Sequence, residues 1–87
     1  HLPIDYLKID GTYTRNLRSD LVNQEMVGAM IKLARTMRFR IVAEQVENQE
    51  DFDWLRDAGV DFVQGHFVES PALLGTATTG TYRVLNP

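Results

Sequence analysis

Cysteine is absent from these 87 residues, which excludes a disulfide framework and any thiolate metal site. A basic surplus is absent too. Nine Lys and Arg stand against 12 Asp and Glu, for a net charge of −3. That balance gives no electrostatic case for binding a nucleic-acid duplex. No apolar run reaches the length of a membrane-spanning helix, and no stretch reads as a secretory leader. There is no internal repeat. Length is lacking as well, since a closed α/β barrel takes about 250 residues. What is present is ordinary globular material, 44% hydrophobic and 24% charged. The chain opens at His1 and enters strand-like sequence within a few residues, so it reads as the middle of a larger protein.

Pro3 delimits the first element. Asp5 to Asp10 then alternates, with Leu7 and Ile9 on one face and Tyr6, Lys8 and Asp10 on the other. Period two predicts a strand, ended by Gly11. Ser19 or Asp20 is positioned to cap a helix. Its apolar positions are Val22, Met26, Val27, Met30, Ile31, Leu33, Ala34 and Met37, and all three methionines read as core. The helix ends near Arg38 without a glycine to supply a left-handed stop. Ile41-Val42-Ala43 predicts a second strand. Asn48 is a good N-cap for a second helix, with Glu50 and Asp51 in its first turn and Gly59 as its stop. Phe52 and Leu55 supply the apolar edge of this helix, while Asp51, Asp53, Arg56 and Asp57 read as its solvated face. Val60 to Gln64 predicts a third strand, broken by Gly65. Residues 75–80 read as a Thr- and Gly-rich loop, and Thr81 to Leu85 as a short extra strand or a disordered end. The order is β-α-β-α-β, an α/β arrangement of parallel strands joined by crossovers.

Three stretches carry the chemistry: Lys8-Ile9-Asp10, Ala43-Glu44-Gln45-Val46-Glu47 and Gln64-Gly65. Each follows an apolar run, and each is separated from the next by a helix. The carboxyl ends of parallel strands open on one face, where α/β proteins build their sites. If Leu7, Ile9, Ile41, Ala43 and Val63 face the helices, then Lys8, Asp10, Glu44 and Gln64 face the other way, near the rim. Carboxylates there suit hard cations such as Mg²⁺ or Mn²⁺. A lysine beside them stabilises charge developing on a phosphate. The plainer readings stand alongside. Lys8 reads equally as half of a structural salt bridge to Asp10 or Glu44, Glu47 as a solvated loop acid, and Gln64 as a satisfied core amide.

These motifs, taken in order with His1-Leu-Pro-Ile-Asp-Tyr-Leu-Lys-Ile-Asp-Gly11, resemble the C-terminal third of an EAL domain. The resemblance covers residues 1–75, with 76–87 as a tail. It implies a fragment of a TIM-like (β/α)8 barrel, its last three strands. It also implies a bacterial signalling enzyme that cleaves cyclic di-GMP to linear pGpG with Mg²⁺ or Mn²⁺. On this resemblance Lys8 and Glu44 are the catalytic residues, and Glu44 is also a metal ligand. Asp10, Glu47 and Gln64 lie on the nucleotide and support side of the site. Gln45 stands where the family commonly has glycine.

The departures shape the expectations. The Glu-Ala-Leu signature, the metal-binding asparagine, a further glutamate and the paired aspartates upstream of the first strand are all missing from this chain. The chain alone is therefore expected to be inactive. The alternative is a fragment of a degenerate EAL domain that binds cyclic di-GMP as a receptor without cleaving it. Three strands cut from a barrel expose two edges, which predicts self-association or strand exchange. The resemblance places the parent in the cytoplasm.

Overall fold

A computed structural model describes residues 4–67 and 78–84. Strand β1 (Tyr6–Ile9) is followed by a one-turn helix α1 (Gly11–Thr14), a 3-10 turn (Leu17–Ser19) and the long helix α2 (Leu21–Met37). Strand β2 (Arg40–Ala43), helix α3 (Gln49–Ala58), β3 (Phe62–Phe67) and β4 (Thr78–Arg83) complete the order. The sheet runs β1-β2-β3-β4. β1 and β2 pair in parallel, with Lys8 beside Val42, and β2 pairs in parallel with β3, with Val42 beside Phe62. β4 returns antiparallel on β3, with Thr81 beside Gln64.

Alternation decides what each strand buries. Ile9, Ile41, Ala43 and Val63 are fully buried on the helix side, where Val27, Ile31 and Ala34 of α2 and Leu55 of α3 meet them. Each large aliphatic side chain buried in this way contributes about 1.5–3 kcal/mol. The helices begin where the sequence provides caps. Asp20 accepts the Asn23 N–H at 3.0 Å, and Asn48 accepts the Asp51 N–H at 2.8 Å. α3 ends on Gly59 at φ 105°. α2 ends on Arg38, which itself adopts the left-handed conformation at φ 61°.

The structure corrects several sequence expectations. Met26 and Met37 are not core; they stand 43% and 48% exposed on the outer side of α2. Asp51 is not on a solvated face but is buried. Gly65 does not break its strand, since β3 continues to Phe67, and Thr78 to Gly80 lie in β4 rather than in a loop. β4 occupies the β3 edge that three parallel strands would have left open, while β1 borders the sheet on the other side. Residues 75–77 and Leu85 lie outside the described residues. Among the described residues no helix is long and apolar enough to cross a membrane.

Candidate functional site

The sheet face away from the helices holds a concavity of about 270 Å³ lined by Tyr6, Lys8, Val42, Phe62, Gln64 and Thr81. Its floor follows from strand parity. Lys8 projects opposite the side of buried Ile9 and partly buried Leu7, next to Val42 and Phe62 in register. Tyr6 and Phe62 pack with ring centroids 6.1 Å apart and form an apolar wall. Gln64 is oriented from β4, donating its Nε2–H to the Thr81 hydroxyl at 3.3 Å. Lys8 is exposed and takes part in none of the ion pairs of the described residues, so the salt bridge to Asp10 or Glu44 is not formed. An unpaired ammonium beside an amide and an aromatic wall suits an anionic ligand with a planar ring.

Glu44 leaves β2 where that strand runs out. Its backbone is fixed on both sides: its N–H donates to the Ile9 carbonyl at 2.9 Å, and its carbonyl accepts the Thr14 hydroxyl at 2.5 Å. Its half-buried side chain lines neither the Lys8 concavity nor the one that holds Glu47. Glu47 is exposed and sits around the corner, in a second recess of about 270 Å³ with Arg15, Asn16, Gln45, Asn48 and Asp51. Asp10 is exposed and N-caps α1, accepting the Thr12 N–H at 2.8 Å. Hydrogen bonding from Thr12, through its hydroxyl and its N–H, holds the Asp10 carboxyl below its usual 3.8. The structure thus brings Lys8 and Gln64 together, stations Glu44 at the adjacent strand end, and gives Asp10 a capping bond.

The loop from Glu44 to Glu47 is seated by residues that sequence reading undervalued. Val46 is buried, and its N–H donates to the Gln64 carbonyl at 3.1 Å, so the loop crosses directly over β3. Gln45 takes the left-handed conformation at φ 56°, a backbone that favours glycine. Its side chain lies over Gly11 and accepts from Arg15 at 3.1 Å. The signal was present in Gly11 and Gly65, two glycines beside the motifs, but their reason is tertiary.

The EAL domain matches residues 1–71 of this sequence. The chain belongs to the EAL domain family. It is 37% identical over 75 residues to the cyclic di-GMP phosphodiesterase PdeB of Shewanella oneidensis, covering 86% of this chain and 9% of that protein. It superposes with a TM-score of 0.68 on a standalone EAL protein of Vibrio cholerae O395 in its c-di-GMP-bound form, at 34% identity. That match covers 70% of this chain and 26% of the Vibrio one. BlrP1 of Klebsiella pneumoniae, in a manganese and cyclic di-GMP complex, shares the fold with a TM-score of 0.69 at 22% identity, covering 88% of this chain and 18% of its own. The EAL chain therefore spans about a tenth of its curated relative and about a quarter of the Vibrio structure. Its β-α-β-α-β core is a segment of the family's TIM-like barrel.

An EAL enzyme implies a divalent cation, and the described residues do not make a centre for one. Among them no three His, Asp or Glu side chains converge. Asp10 is engaged by Thr12, and Glu44 belongs to no such group of three.

Proposed function

We propose that this chain is part of a cyclic di-GMP phosphodiesterase domain, hydrolysing one phosphodiester to give linear pGpG in the cytoplasm. The observation that carries the reading is the shared open face of β1 and β3, where an unpaired Lys8 and an anchored Gln64 flank an aromatic wall. That face suits a cyclic dinucleotide, which presents phosphates to an ammonium and purine edges to an amide.

In this reading Lys8 steadies the phosphate and the attacking water. Gln64 contacts the nucleotide, and Asp10 and Glu47 shape the rim. Glu44 is the donor that the described residues offer to Mg²⁺ or Mn²⁺, and further donors come from the rest of the domain. The 87-residue chain by itself is accordingly inactive.

The test compares this chain with the whole domain that contains it. The domain should hydrolyse cyclic di-GMP with Mg²⁺, and Lys8→Ala should remove turnover while the domain stays folded. Undiminished turnover in Lys8→Ala overturns the assignment. Tight binding by the domain without cleavage selects the receptor reading instead. Hydrolysis by the purified 87-residue chain overturns its inactivity.

A further inference from the structure

Strand β2 has Glu44 just beyond its carboxyl end and Arg40 at its amino end, roughly 13 Å apart at about 3.3 Å per residue. The chemistry at the amino end is different. Where α2 hands over to β2, a recess of about 240 Å³ is lined by Arg35, Arg38, Phe39 and Arg40. Three of the chain's nine Lys and Arg meet there, on a protein of net charge −3. The local field is therefore opposite in sign to that of the whole.

One carboxylate orders two of the three guanidiniums. Asp61 is 18% exposed and accepts the Ile41 N–H at 2.8 Å, which fixes it against the start of β2. It pairs with Arg35 at 3.3 Å and with Arg40 at 3.7 Å. Arg35 also donates to the Gly59 carbonyl. The Arg35 and Arg40 side chains stay 48% and 56% exposed, so N–H donors that these partners leave free are open to a ligand. Arg38 is exposed, and among the described residues its guanidinium has neither an ion pair nor a hydrogen bond. The end of α2 does not oppose an anion here. Its Ala34 and Arg35 carbonyls are taken by the N–H groups of Phe39 and Arg38.

We propose that this recess binds a diphosphate. Three guanidiniums against one carboxylate leave two positive charges, and a guanidinium fork matches a pair of phosphate oxygens. Two linked phosphates engage Arg38 together with the free donors of Arg35 and Arg40, which Asp61 holds in place beforehand. Sites that enclose a drug-sized ligand span about 300–1,000 Å³, so this smaller recess encloses the diphosphate and leaves any attached nucleoside outside. The site uses none of Lys8, Glu44 or Gln64 and does not rest on the hydrolytic reading.

Titration of the 87-residue chain with inorganic pyrophosphate, free of divalent metal, tests this. The amide shifts of residues 35–40 should move to saturation. Arg38→Gly removes the unpaired guanidinium where the backbone suits glycine, so it should bind roughly tenfold more weakly without a fall in melting temperature. Arg40→Gln, checked for fold by circular dichroism, should weaken binding similarly. Sulfate at equal ionic strength should bind at least roughly tenfold more weakly than pyrophosphate. Adenosine diphosphate, titrated alongside, tells the two sources of a diphosphate apart: equal affinity assigns the free anion, tighter binding assigns a nucleotide, and both support the site. Shifts confined to Lys8 and Gln64 overturn the proposal, because they place the anion in the other concavity. So does wild-type affinity in Arg38→Gly. Sulfate binding as well as pyrophosphate overturns it too, marking an adventitious ion only. None of these outcomes depends on cleaving a nucleotide.

Discussion

A Cβ placed on Gly65 would stand 2.1 Å from the carbonyl oxygen of Val46 and 2.6 Å from its nitrogen. The Glu44–Glu47 loop therefore rests directly on the β3 backbone, and a side chain at residue 65 would push it off. Both obstructing atoms are backbone, so no rotamer change relieves the overlap. Gly65→Ala should destabilise the fold by about 3 kcal/mol and displace Glu44 and Glu47 from their stations. Thermal unfolding reads the first effect and amide chemical shifts of residues 44–47 read the second. An unchanged melting temperature would contradict the packing described for this loop.

Asp51 ties α3 to the 3-10 turn. Its carboxylate accepts the Arg18 N–H at 2.9 Å and the Asn48 Nδ2–H at 3.1 Å while only 3% exposed. Asp51→Ala strands the Arg18 N–H and removes a negative charge from the first turn of α3. Both changes act in the same direction, for a loss of about 1–3 kcal/mol. Asp53 is 39% exposed and paired to Arg56 at 3.3 Å, so Asp53→Ala should cost far less, about 0.5 kcal/mol. Urea unfolding of the two variants side by side checks the contrast.

Where a residue's role is local, the sequence announces it. Asn48 and Gly59 read as the cap and stop of α3 because both devices act within a few residues. Lys8 and Gln64 share a face because strand alternation requires it. What stayed hidden depends on distant chain. Gly65 is explained by a loop some twenty residues earlier, and Asp51 by a backbone N–H 33 residues away. The apolar periodicity of α2 could not separate Ile31 from Leu33, since one stripe meets the sheet and the other meets solvent. The metal centre is illegible for a different reason: a single donor position does not specify a coordination shell.

Arg38 closes α2 in the left-handed conformation, with its N–H on the Ala34 and Arg35 carbonyls. A β-carbon is strained at φ 61°, and glycine is not. Arg38→Gly should stabilise the chain by about 0.5–1 kcal/mol, the strain relieved slightly exceeding the freedom glycine adds to the unfolded chain. A rise in melting temperature of several degrees is expected for a domain of this size. Arg38→Val should shift it downward, because a branched Cβ worsens the same strain.

The Asp10 carboxyl titrates below 3.8 in the folded chain because Thr12 hydrogen-bonds its charged form, with the Arg15 charge adding to the effect. A folded value below the unfolded one means that ionised Asp10 favours folding above about 3.8, and that this contribution fades as pH falls through the depressed value. Asp10→Asn keeps an oxygen able to accept from Thr12 but has no charge to lose. The stability gap between wild type and Asp10→Asn should thus be constant from pH 7 down to about 5 and narrow below pH 4. Denaturant midpoints measured across that range, with a carboxyl-carbon NMR titration of Asp10, test the sign. A gap that widened on acidification would mean that Asp10 is held protonated instead, and that the Thr12 bond does not act on the carboxylate.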